Sequence, residues 1–486
     1  MKKHFVLVGA LILFILALVS CGTGKAGGQG TGAQDPEKET ATAIVETDEL
    51  RPTLPEKNYN GNAFTYLRYD LSDQSITYLV NDLCPEEENG EALNDSLYRR
   101  NLTVAEAYNI RLAEVINTNV AAELDQMLRA GDTIYDAVNP DLRRLRTLFI
   151  NGTLMNLREL PYLDLSHPWW DASSVESLTI FGKLPAVFSD VTLVDKYSTY
   201  ATLFHKGMAE DYGLPDLYKL TAEGKWTIDQ MLALSETVSQ DKNGDGIMNR
   251  YDVFGIAAQH DAMYILMHGC GAYFADTDAD GTPRDAFYTD RTVAIVQKIS
   301  AMMTDKQRFF NRQSAGLSVD ECIDMFAANQ ALFFLRPLYT VEALRDMEND
   351  YGIIPIPKYE ESDPAYRCTL NKWVACPIAV PLVVSDAECT GIILEALAAE
   401  SYSAVLPYFY EDVLGAKIVR DKESADMLDL IFASRMYDIG YIYDFGAFCD
   451  KLMKLPGGKD QNIASLYEAN KSAIAAEIDT FIEAVK

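Results

Sequence analysis

The chain is poor in the patterns that mark most catalysis. It holds five histidines, His4, His167, His205, His260 and His268, and they stand without metal-ligand spacing. There is no GxSxG, no HExxH and no glycine-rich phosphate loop, so the sequence carries no signal for a serine-nucleophile elbow, a zinc protease or a phosphate loop. Positive charge is also scarce. Against 72 acidic residues there are 42 Lys and Arg, a formal charge of −30. So acidic a surface repels phosphate backbones and anionic headgroups, which excludes nucleic acid as a partner. Beyond the N-terminus no apolar run approaches the ~20 residues needed to span a bilayer; residues 331–335 are only strand-sized. After Cys21 an odd set of cysteines remains: Cys84, Cys270, Cys322, Cys368, Cys376, Cys389 and Cys449, with no CxxC. A disulfide framework needs an even, regular set. Most therefore read as free, small, buried thiols, and only Cys368 and Cys376 are candidates for a bridge.

What is present is sharpest at the start. Lys2 and Lys3 precede an apolar run from Phe5 to Val19, broken only by Gly9, which ends in Leu18-Val19-Ser20-Cys21. A basic start, a short apolar stretch and a small residue before cysteine look like a bacterial lipobox. Cys21 is therefore expected to carry a lipid, with residues 1–21 as signal peptide and the body at the extracytoplasmic face of a cell membrane. Residues 22–61 are rich in Gly, Thr, Glu and Pro. They offer little for a core and read as a disordered tether, with an r.m.s. reach of roughly 35 Å.

The body begins with alternating strand and helix signals. Residues 64–68 are strand-like; Leu93, Leu97, Val104 and Tyr108 recur at near-helical spacing; residues 110–116 alternate; Val120, Leu124 and Leu128 mark a helix stopped by Gly131; and residues 135–138 form a third strand. This β-α-β-α-β series predicts a mostly parallel sheet flanked by helices. Residues 184–188 read as another strand. Residues 227–239 read as a helix capped by Thr227. Two late strands fall at 328–334 and 351–357, and helices at 385–401, 424–437 and 463–485.

Several of these stretches stand in a telling order: lipobox, tether, the β-α-β-α-β opening, Pro168-Trp169-Trp170-Asp171, Gly224-Lys225-Trp226-Thr227, Met325-Phe326-Ala327-Ala328-Asn329-Gln330-Ala331-Leu332-Phe333, and the GxxPxP-like Tyr351-Gly352-Ile353-Ile354-Pro355-Ile356-Pro357. In that order the chain resembles the extracellular solute-binding proteins (family 1, sugar-type) of ATP-binding-cassette importers. The resemblance implies an α/β, two-lobed periplasmic-binding-protein-like fold, type II-like, with a ligand cleft between lobes. Lobe 1 is expected from 62–180 plus 322–375, and lobe 2 from 181–321 plus 376–486. It implies a monomeric, non-enzymatic binder of a sugar or oligosaccharide, working with permease subunits. A lipid-anchored surface glycosidase remains the alternative, because paired carboxylates are a spatial feature; a binder of peptides or other solutes is a second.

A sugar offers an apolar C–H face and a rim of hydroxyls, so its site needs flat rings and short polar groups. Trp169, Trp170 and Trp373 are the ring candidates; two adjacent tryptophans on a strand point to opposite sides, so one of the first two is expected to be exposed. Trp226, at a helix start, reads as core. Polar candidates are Asp70, Asn139 and Asp141 at strand ends of the first lobe, Asp190 at a strand end of the second, and Arg336 and Tyr339 after the 328–334 strand. Separately, residues 241–252 match an EF-hand-type loop. Oxygen ligands fall at Asp241, Asn243, Asp245, Asn249 and Asp252, Gly246 makes the turn and Ile247 offers its carbonyl. A structural Ca2+ is expected there, although Asp252 stands where Glu is usual. Asp276, Asp278, Asp280 and Gly281 begin a similar pattern but read as a hairpin turn.

Overall fold

The computed structural model describes residues 50–72, 82–418, 422–458 and 461–486. Cys21 and the tether as far as residue 49 lie outside the described residues. The tether's end does not stay free. Leu54 and Tyr59 pack on the core, the Tyr59 amide donates to the Tyr108 carbonyl at 2.9 Å, and Lys57 pairs with Glu388 at 2.8 Å. Two apolar side chains suffice to seat residues 50–61, so the expected disordered stretch is too long at that end.

In the first lobe, β1 (Asn62–Tyr69) lies between β2 (Ile110–Asn117) and β3 (Ala137–Asn139), all parallel. Parallel neighbours need a crossover, and helices Ala92–Tyr108 and Val120–Ala130 supply them. The second helix starts where Asn119 accepts from the Ala122 amide and stops at Gly131, whose φ of 74° is the left-handed cap glycine tolerates. The second lobe holds β4 (Tyr200–His205), β5 (Phe254–Ala258), β8 (Phe309–Asn311), β9 (Ala331–Pro337) and β10 (Tyr351–Ile354), in the order β10-β4-β9-β5-β8. Only β4 runs against its neighbours. A separate hairpin, β6 (Ala275–Thr277) with β7 (Pro283–Asp285), turns at residues 278–282, as its Asp/Gly pattern predicts.

Both lobes thus follow the expected α/β plan, but their boundaries differ from expectation. β9 and β10, assigned above to lobe 1, pair with β4 and β5 in the second sheet. Residues 378–381, assigned to lobe 2, bridge to Val138 and Leu154 of the first lobe and to Val187, and Ser189 bridges to Trp170, so the stretch from 181 to about 190, also assigned to lobe 2, belongs with the first lobe. Helix Ala387–Ala404 also joins the first lobe: Arg100 donates to Ser401 Oγ at 3.1 Å. Gly391 lets this helix lie flush on the chain, since a Cβ there would stand 1.7 Å from the Pro161 carbonyl. A strand's apolar run shows that it is buried and is silent on which sheet buries it. β9, buried along its whole length, needs a neighbour on each side, and only the second sheet provides two.

Residues 437–486 form a helical block seated on the second lobe. Asp438 accepts from His268 and from the Phe274 and Ala275 amides. The block also reaches the first lobe, through Arg146 to Glu477 at 2.6 Å and Lys183 to the Val485 carbonyl at 2.8 Å. All seven described cysteines are free thiols. Among the described residues no single helix is long and apolar enough to cross a membrane.

Candidate functional site

The chain passes between lobes near residues 190–199 and back near 368–377. Thr199 bridges to Leu370, and the Leu338 amide donates to the Thr199 carbonyl at 2.9 Å. On the first-lobe side the Leu142 amide donates to the Ala375 carbonyl at 3.0 Å, and Asn139 Nδ2 donates to the Cys376 carbonyl at 2.8 Å. The return crossing therefore ties the end of β3 to the ends of β4 and β9. C-terminal strand ends are where open α/β sheets bind ligands, and here those of both lobes meet at the crossings.

On the second lobe these ends carry a polar cluster. After β5 come Gln259, His260 and Asp261; after β8 comes Arg312; near the end of β9 sits Arg336. Tyr200 donates to Asp261 Oδ2 at 2.8 Å and meets Tyr264 at 3.0 Å. Asp261 Oδ1 is buried with no hydrogen-bond partner. Burial pushes the Asp261 carboxyl up, and Arg336 pulls it down. Arg336 is 2 % exposed, its Nε donates to Thr340 Oγ1 at 3.3 Å, and its charge lies over the rings of Phe334 and Tyr339, each 5.8 Å away. No described group accepts from its Nη atoms. Arg312 donates to Gln259 at 2.8 Å and to the Leu317 carbonyl, while its Nε is buried without a partner. Buried polar groups in folded proteins are nearly always satisfied, so the unpartnered Asp261 Oδ1 and Arg312 Nε, both at these strand ends, make this the candidate site.

Of the expected polar residues, Arg336 and Tyr339 fall in this cluster; Asn371 Nδ2 reaches the Tyr339 hydroxyl at 3.4 Å. Trp373, on the return crossing, is half-buried, with the Lys372 ammonium 5.3 Å from its ring. Asp70 and Asp141 lie at the strand ends of the first lobe. Asp70 accepts from the Ser72 amide at 2.9 Å, and the Ser72 side chain, then that amide, hold its carboxyl below its ordinary value. Asp141 is buried against Arg143 at 2.8 Å, and Arg143 also reaches the Tyr69 hydroxyl. Asn139 spends its amide on the return crossing, and Asp190 is buried against Lys196 beside the outgoing one; both hold the crossings together.

The first tryptophan pair is a correction. Trp169 and Trp170 are both buried, 1 % and 2 % exposed. Their indole N–H groups both donate to Glu395, at 3.0 and 2.9 Å, on helix Ala387–Ala404. The expectation of opposite faces assumed a strand, whereas these residues sit in a turn with a single isolated bridge, Trp170 to Ser189. Trp226 is core as read, donating to the Pro355 carbonyl at 2.9 Å. Asp261 and Arg312 escaped the sequence reading. The polar triplet directly after the apolar Phe254–Ala258 strand was the available signal for Asp261.

The 241–252 loop folds as a chain of side-chain-to-amide turns. Asp241 accepts from the Gly244 and Gly246 amides, Asn243 from Asp245, Asp245 from Ile247, and Asn249 from Tyr251. Asp252 accepts from Lys242 and Asn249 at 3.0 and 2.8 Å, and the Ile247 carbonyl accepts from Asn249 Nδ2. Among the described residues no group of three or more His, Cys, Asp or Glu is placed to hold a metal. The donor set is nonetheless all oxygen, which fits a hard cation, and each carboxylate keeps further lone pairs.

The architecture is a two-lobed α/β fold of the periplasmic-binding-protein type. No protein-family model and no curated protein matches the chain, but solved structures do. A cyclo/maltodextrin-binding protein complexed with maltotetraose is similar over 87 % of this chain and 97 % of its own, with a TM-score of 0.55 at 13 % identity. RafE from Streptococcus pneumoniae is similar over 88 % and 99 %, with 0.54 at 13 %. An ABC substrate-binding protein from Listeria monocytogenes in complex with cycloalternan is similar over 87 % and 98 %, with 0.52 at 13 %. At such identity the likeness is one of fold.

Proposed function

We propose that this protein is the extracytoplasmic substrate-binding component of an ATP-binding-cassette importer and that it holds a saccharide between its lobes without cleaving it. The observation that carries this reading is the double shortfall at the second-lobe strand ends. Asp261 Oδ1 is buried without a donor and Arg312 Nε without an acceptor, and Arg336 beside them spends only its Nε, on Thr340. A hydroxyl group donates and accepts at once, so a polyol fills both. Tyr339 lies against Arg336 and Trp373 lies on the return crossing, and both offer ring faces for the sugar's C–H side. Solved proteins of similar fold include ones in complex with maltotetraose and with cycloalternan, which agrees with that chemistry. The test is a thermal-shift screen with saccharides, peptides and small anions, since a ligand stabilises the folded state in proportion to ln(1 + [L]/Kd). A saccharide is expected to raise Tm and to be recovered intact; stabilisation by peptides alone, or appearance of cleaved sugar, overturns the reading.

The remaining parts of the proposal are the lipid on Cys21, permease subunits as partners and calcium in the 241–252 loop. Cys21→Ala should release the protein from the membrane fraction or leave the signal uncleaved. Calorimetry on chelator-treated protein should show calcium heat that Asp245→Ala removes.

A further inference from the structure

The charges at the proposed site do not balance. Strand order places the end of β5 between the ends of β9 and β8, so Asp261 stands between Arg336 and Arg312. Two guanidinium groups thus face one carboxylate, and no ion pair joins either arginine to Asp261 among the described residues. The other cations near the crossings are already matched: Arg143 to Asp141 at 2.8 Å, and Lys372 to Asp444 at 3.5 Å. Burial, and then the like charge of Arg336, lower the Arg312 pKa, which agrees with two cations crowding a half-dry site. In a chain of charge −30, an unmatched positive site is costly to bury unless something completes it. A hydroxyl offers Arg336 only a neutral acceptor. A carboxylate offers two oxygens in the geometry a guanidinium fork matches, with roughly twice the strength.

We infer that the ligand is an acidic saccharide, with a carboxylate seated on Arg336 beside Arg312 and a neighbouring hydroxyl donating to Asp261. This inference rests on the interlobe saccharide reading and narrows it. A neutral hexose of the same size satisfies hydrogen bonds but leaves both guanidinium charges without a counter-charge, so the site discriminates by that penalty as well as by attraction.

Calorimetric titration with an oligouronide and a neutral oligosaccharide of equal length is the test. The uronide should bind roughly ten- to a hundredfold more tightly. Its affinity should fall with added salt, while that of the neutral sugar should not. Arg336→Gln should erase the preference, and Arg336→Lys should keep part of it, because charge remains while the fork is lost. Where burial keeps Arg336 variants from folding, Arg312→Gln, on a half-buried residue, should lower the uronide's advantage over the neutral sugar severalfold. Equal affinity for both sugars overturns this inference and leaves the saccharide reading standing. Binding of a simple dicarboxylate with no response to either sugar overturns both.

Discussion

Two carboxylates, one in each lobe, separate structural from functional burial. Glu395, in the first lobe, is surrounded by donors: both indoles of Trp169 and Trp170, His167 at 2.7 Å and the Asp164 amide at 3.2 Å. Burial raises its pKa, and the Trp170 and His167 bonds oppose that. Asp261, in the second lobe, has Tyr200 on one oxygen and nothing on the other. The first site is complete without a ligand, and its aromatic rings are tied inward. The second is incomplete and sits at strand ends where the crossings meet. An acid ringed by aromatic residues is thus no mark of a binding site; an unsatisfied acid in the right place is.

The comparison breaks first at Glu395. Glu395→Ala leaves two indole N–H groups and a backbone amide without their acceptor, and should cost roughly 3 kcal/mol or more of stability in urea unfolding. Asp261→Asn should move the same curve by about 0.5 kcal/mol or less. A comparable loss in both variants would show that the two carboxylates play the same role. The tryptophans sharpen the contrast. Trp170→Ala should destabilise by about 3–5 kcal/mol. Trp373→Ala should leave the fold near its original stability and weaken saccharide binding by ~2 kcal/mol, about thirtyfold. In ligand binding, Asp261→Asn should cost about tenfold while folding is intact.

A third carboxyl gives the smallest effect, on pH dependence. Glu342 follows β9 and shares Arg345 with Asp412, which also receives the Tyr197 hydroxyl. Burial, and then Asp412, push Glu342 up to about 7, with Arg345 opposing. An acid whose folded pKa is raised holds its proton longer in the native state. Its contribution is therefore fully present below the unfolded value and lost as pH rises from about 4.5 to about 7. Glu342→Gln should flatten that fall and be the more stable form at pH 8 by on the order of 1–2 kcal/mol. Identical pH profiles for the variant and the parent chain would show that this carboxyl is already ionised below pH 5.

Much of the secondary structure was legible because it depends on neighbours in sequence. The period of Val120, Leu124 and Leu128 with Gly131 behind them and the Thr227 cap became the elements they announce, and the strands expected at 328–334 and 351–357 form at Ala331–Pro337 and Tyr351–Ile354. Arg336 and Tyr339 were legible as site candidates by the same strand-end logic. What the sequence by itself determined is therefore the α/β plan, the elements and the pattern Cys21 closes. The tertiary structure alone decided three things. It placed β9 between β4 and β5, since sheet membership is a choice among distant partners of equal apolar character. It turned Trp169 and Trp170 inward, because Glu395 lies 225 residues or more further along the chain. And it brought Asp261 Oδ1 and Arg312 Nε, both without partners, to one edge of the second sheet beside Arg336, an arrangement that exists only where strands distant in sequence end together.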